Sequence, residues 1–194
     1  MNYKRYTFSR NLAWEILNRE RIKELPIKLI PLCKRMRIRV IKYSDAPQIK
    51  DKNGDGFQAV IDGKLYILYD DALSPERKRF TIAHELGHII MKHSGFPEDE
   101  SSANVFASRL LMPACVLYEC GVQTEEEIMQ MCGVSRTAAR YRLERLKVLR
   151  ERNKWYTHPL ERKVRRRFSR YIKGYIKDPR RNREAAQALK SFRE

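Results

Sequence analysis

Arg79–Ile90 reads RFTIAHELGHII, and this short stretch decides how the rest of the chain is read. His84 and His88 are four residues apart, with Glu85 beside the first. Ser74 and Pro75 supply an N-cap and a first-turn proline ahead of them, so the spacing predicts a helix. On a helix of about 100° per residue, Ile82, Ala83, Ile89 and Ile90 fall within about 60° of Leu86. His84 and His88 fall together on the far side, about 40° apart. Both imidazoles can therefore reach one ion, and Glu85 lies where it can hold a water on that ion. The same pattern also suits two surface histidines on an amphipathic helix. Gly87 costs a helix interior about 1 kcal/mol against alanine, which suggests that it permits a close approach.

A catalytic zinc keeps three protein ligands and one open position. A third histidine six residues after the second, preceded by a glycine, would complete one known pattern. Met91 and Ser94 occupy those positions, so that pattern fails. His93 is one residue short of it, and by helical projection it falls on the core side, as a structural residue near the helix end. The alternative is a glutamate from the next helix. In EDESSANVFASRLLMP, Ala103, Phe106, Ala107, Leu110 and Leu111 form an apolar stripe, and Pro113 ends the helix. Glu100 falls on the edge of that stripe, where a cation would compensate its charge. Asn104, one turn later, can orient a ligand. Asp99 sits in the first turn, where the helix dipole accounts for it.

Outward from this pair, the chain reads as α+β. NLAWEILNRERI carries Leu12, Ala13, Ile16 and Leu17 on one helical face and is broken by Pro26. A short helix is expected over Ile27–Met36. RIRVIKY reads as a strand, and FQAVIDGKLYILYD as a hairpin turning at Asp62–Gly63. The polar connector KDKNGDG before it lacks a glutamate at calcium-loop spacing.

With 194 residues, the chain suits a domain plus an appendage. Its net charge is +17, which points to an anionic partner, nucleic acid first. Tyr141–Glu194 holds 19 Lys/Arg against 6 Asp/Glu, so most of the excess lies there. No apolar run reaches membrane-spanning length and the N-terminus is polar, so a cytoplasmic, non-membrane protein is expected. The four cysteines form no CxxC pair and read as buried thiols.

Residues 121–150 contain TEEEIMQMCGVSRTAARYRLERLKVL, two helices around Gly133 with helix-turn-helix spacing. Arg136, Thr137 and Arg140 would lead the exposed face of the second. A helical hairpin that only buttresses the first domain fits equally. In 151–194, Val164, Phe168, Ile172 and Tyr175 form one stripe opposite Lys163, Arg166, Arg170 and Lys173. Asp178-Pro179 would begin a last helix carrying Ala185, Leu189 and Phe192. The basic face is either solvated or a phosphate-binding surface.

RFTIAHELGHII followed by ESSANVFASRLLMP closely resembles the ImmA/IrrE family of metallo-endopeptidases, over roughly residues 10–120. One mild departure is Ser102, where the family is often acidic. The resemblance implies a zincin-like fold over 1–120, with a small antiparallel sheet. It implies His84, His88 and Glu100 as ligands of zinc, or of manganese. It implies Glu85 as the general base that takes the proton of the metal's water during peptide hydrolysis. His93, His158 or a tyrosine could supply a further oxyanion donor. The implied substrate is a regulatory protein, typically a helix-turn-helix repressor encoded nearby on a phage or mobile element. The competing expectation is a non-catalytic DNA-binding regulator that keeps the peptidase fold.

Overall fold

The computed structural model describes residues 3–47, 54–93 and 96–178. In chain order the elements are α1 (Tyr3–Arg19), α2 (Leu29–Arg35), β1 (Ile38–Lys42), β2 (Gly56–Ile61), β3 (Lys64–Tyr69) and α3 (Pro75–Met91). Then follow α4 (Pro97–Leu111), α5 (Ala114–Glu119), α6 (Glu125–Cys132), α7 (Arg136–Glu151), α8 (Pro159–Arg167) and α9 (Ser169–Lys177). The result is a mixed α+β chain, mostly helical, with one small sheet. α1 begins earlier than its apolar stripe suggests, and α2 is shorter than expected.

The sheet order is β1-β3-β2. β2 and β3 pair antiparallel through a turn at Asp62 and Gly63, both with positive φ (49° and 70°), as a type I′ hairpin requires. β1 pairs with β3 in parallel, Ile38 opposite Leu65 and Lys42 opposite Tyr69. The sheet is therefore mixed, which corrects the antiparallel expectation. The chain reverses twice between β1 and β3, so these two run the same way. Ile67 and Leu68, at most 1% exposed, place β3 in the centre.

Ser74 caps α3 by accepting from the Arg77 N–H at 3.2 Å, with Pro75 in the first turn. The helix buries Ile82, Ala83 and Leu86, and α4 buries the whole predicted stripe from Ala103 to Leu111. α3 and α4 lie against each other because Gly87 has no side chain. A Cβ there would stand 2.9 Å from a ring carbon of Phe106 and 3.4 Å from Ala103 Cα.

Thr124 and Glu127 form a capping box on α6, and Gly133 turns the chain at φ 62° into α7, capped by Ser135. Arg79, on α3, donates to the carbonyls of Ile27, Cys132 and Gly133, each at 3.0 Å. The α6–α7 turn is thus tied to the helix that carries the histidines. The stripe expected in the tail is split between α8 and α9 at Phe168, and Val164, Phe168 and Ile172 are buried. One apolar core takes residues from α1 through α9, so the stretches 1–120, 121–150 and 151–194 all contribute to it. The helix expected after Asp178 lies outside the described residues, as does part of the KDKNGDG connector. All four cysteines are buried free thiols, and burial pushes Cys33 and Cys132 up to about 12.

Candidate metal centre

α3 presents His84 and His88 one turn apart, and the close α3–α4 approach brings Glu100 to them from the first turn of α4. His84 Nε2 is 2.9 Å from His88 Nε2. Glu100 Oε2 is 3.2 Å from His84 Nε2, and Oε1 is 3.3 Å from His88 Nε2. Metal bonds of about 2.0–2.1 Å at tetrahedral angles separate ligand atoms by about 3.3 Å. Three edges of 2.9, 3.2 and 3.3 Å therefore fit one small cation. Glu100 is 62% exposed at its side chain, so it reaches the centre from the solvent side rather than from packed surface.

The outer ring nitrogens fix the tautomers. His84 Nδ1 lies 2.9 Å from Asn104 Oδ1, which can only accept. The proton then sits on Nδ1 and the Nε2 lone pair faces Glu100 and His88. Burial lowers the pKa of both His84 and His88, against the opposing pull of Glu100, so the rings are neutral at neutral pH. Neutral imidazole is the form that binds a metal.

His93 is the residue that helical projection misplaced. Lys92 leaves the helix in the left-handed region at φ 52°, which swings His93 back over α3. Its Nδ1 lies 3.0 Å from His88 Nδ1, and its Nε2 lies 3.7 Å from Asp99 Oδ1. Asp99 also accepts from the Phe96 N–H. A left-handed residue at Lys92 carries no sequence signal comparable to glycine, so nothing in the pattern announced this contact.

Glu85 is buried on the β2 side of α3, where a hydrogen bond from the Gln58 backbone favours its charged form. Burial, and then the Glu100 charge, push its carboxyl up to about 7. Of the oxyanion candidates, His158 is committed elsewhere. Its Nδ1 accepts from the Leu160 N–H, capping α8, and its Nε2 faces Asn11. Tyr43 has its pKa raised by burial and then by the charges of Asp70 and Glu85.

The nucleic-acid candidates do not converge on this centre. Arg136, Thr137 and Arg140 are exposed at the start of α7, and Arg136 is held by Glu126 at 2.6 Å and Glu125 at 3.6 Å. Lys163, Arg166, Arg170 and Lys173 are exposed on α8 and α9.

Fold and centre together define a class: a mostly helical α+β domain with a His-His-Glu cluster, fit to hold a metal ion, shared by two packed helices. Comparison with family models is more particular. Residues 33–144 match the IrrE N-terminal-like domain, peptidase M78, and the chain belongs to that family. None of the curated proteins matches it. No helix among the described residues is long and apolar enough to cross a membrane.

Proposed function

We propose that the protein is a zinc-dependent endopeptidase that cleaves a regulatory protein, a helix-turn-helix repressor by preference. The observation that carries this is the triangle of His84, His88 and Glu100, whose edges suit one tetrahedral ion, with Glu85 beside it on α3. Two nitrogens and a carboxylate suit zinc, and manganese is the alternative. Zinc bound there would supply Lewis acidity, bringing the pKa of water down to about 7.

The chain's own residues do the rest. Asn104 and His93 hold the two imidazoles in place. Glu85 takes a proton from the attacking water and gives it to the leaving amine. Its carboxyl, pushed up to about 7 without a metal, exchanges a proton within the neutral range. A nearby cation favours its ionised form, which is the accepting one.

The second reading is a DNA-binding regulator, favoured by the exposed Thr137, Arg140, Lys163, Arg166, Arg170 and Lys173. Glu85→Gln separates the two. It should lower cleavage of a co-purified repressor by at least about a hundredfold while zinc content stays the same. Derepression in cells that survives this substitution would leave only the second reading.

A further inference from the structure

α1, α4, α7, α8 and the connector before α8 enclose a second cleft that shares no residue with the metal centre. Tyr6, Arg10, Arg109, Arg142, Arg145 and Lys154 line it. About 50 Å³ inside it is open to the centres of water molecules, room for a few waters or one small oxyanion. Arg142 is 2% exposed. Its Nη2 donates to the Ser108 carbonyl at 2.6 Å, but Nε and Nη1 are buried with no partner. Arg109 donates to the Tyr6 phenol at 2.7 Å, and Arg145 lies over the same ring.

Among the described residues, none of Arg109, Arg142, Arg145 and Lys154 has a carboxylate within ion-pair distance. Glu161, on the cleft wall, is buried, and that burial raises its pKa and disfavours its charge, against the pull of Arg10 and of hydrogen bonds from the backbone of Tyr156 and Thr157. A buried guanidinium with unmade hydrogen bonds, next to further cations, is costly. Burial, and then repulsion from Arg109, lower the pKa of Arg142 well below its ordinary value, which expresses the same cost. Orphaned buried donors of this kind call for a water or an ion.

We propose that this cleft is a binding site for a phosphate-class dianion, held by Arg142 with Arg109, Arg145 and Lys154 around it. Guanidinium forks match the oxygens of a phosphate in pairs, and the excess of cations favours a dianion over a single carboxylate. The anion is either inorganic phosphate or the phosphoryl group of a larger molecule. The proposal does not rest on the peptidase reading.

The full chain is titrated calorimetrically with inorganic phosphate, with acetate at equal ionic strength as the reference. Saturable one-site binding of phosphate, with a rise in the thermal midpoint, is expected, and no binding of acetate. AMP is titrated in parallel. Tighter binding of AMP identifies a phosphoryl group on a larger molecule, and binding of phosphate alone identifies the free anion. Arg145→Gln, at a half-buried position, should weaken phosphate binding about tenfold or more. Lys34→Gln, exposed on α2, should leave it unchanged. Absence of phosphate binding by the unaltered chain, equal binding of acetate, or equal losses in the two variants would overturn the proposal.

Discussion

His93 sets the orientation of His88. With two Nδ1 atoms 3.0 Å apart, one carries the proton and the other accepts it. If His88 carries it, its Nε2 lone pair faces Glu100, and the proton of His93 sits on Nε2, towards Asp99. Removing such a partner typically lowers metal affinity about tenfold to a hundredfold. His93→Ala should do this while His84, His88 and Glu100 remain, which chelator competition with zinc would measure. Unchanged affinity would mean that the ring only fills space. His84, His88 and Asn104 could be placed from sequence because helical period sets their directions, whereas Glu100, expected at the edge of packed surface, is 62% exposed and meets the histidines only through the α3–α4 approach. His93 could not, because its direction depends on one left-handed residue, Lys92, that any polar side chain could have announced equally poorly.

At the scale of elements, the spacing of α3 and α4 governs whether Glu100 reaches the histidines. Gly87→Ala improves helix propensity by about 1 kcal/mol, but its Cβ meets the fully buried Phe106 ring at 2.9 Å. Overpacking of this kind costs about 1–3 kcal/mol, so a small net destabilisation is expected, with weaker zinc binding as the helices part. A variant with unchanged midpoint and affinity would show that Phe106 yields freely. The sequence suggested that Gly87 admits a neighbour, but not that the neighbour is α4, since helix period gives directions and not partners. The parallel β1–β3 pairing was hidden for a similar reason: the hairpin fixes β2 against β3 and says nothing about which edge β1 joins.

A second tie between elements links α5 to α8. Arg165 Nε donates to Glu119 Oε1 at 2.8 Å, and the Tyr156 hydroxyl donates to the same carboxylate. Burial works against ionisation of Glu119, but these bonds prevail and hold its pKa below the ordinary value. A depressed folded pKa contributes stability above the unfolded pKa and loses it as pH falls through the folded one. Glu119→Gln should therefore cost about 1 kcal/mol at neutral pH and nothing at pH well below the carboxylate range. Denaturant melts at the two pH values would check this, and an equal cost at both would contradict it.

For the whole molecule, net charge is a poor map of where anions could bind. Arg79, Arg109 and Arg142 are half-buried or buried, and each makes hydrogen bonds inside the protein. Arg165 is paired with Glu119. The basic tail is also part of the core: α8 packs on α1 and α5, and Asn18 donates to the Leu160 carbonyl at 3.1 Å. Val164, Phe168 and Ile172 are at most 5% exposed. At about 1.5–3 kcal/mol for each buried side chain, these three contribute on the order of 5–9 kcal/mol, an upper figure because unfolded chains already bury some surface. Whole domains are stable by only about 5–15 kcal/mol. Truncation after Arg152 should therefore leave a chain that aggregates or melts without cooperativity, even though it keeps every metal-ligand candidate. A truncated chain that melts cooperatively within a few degrees of the full one would show that α8 and α9 merely rest on a core already complete without them.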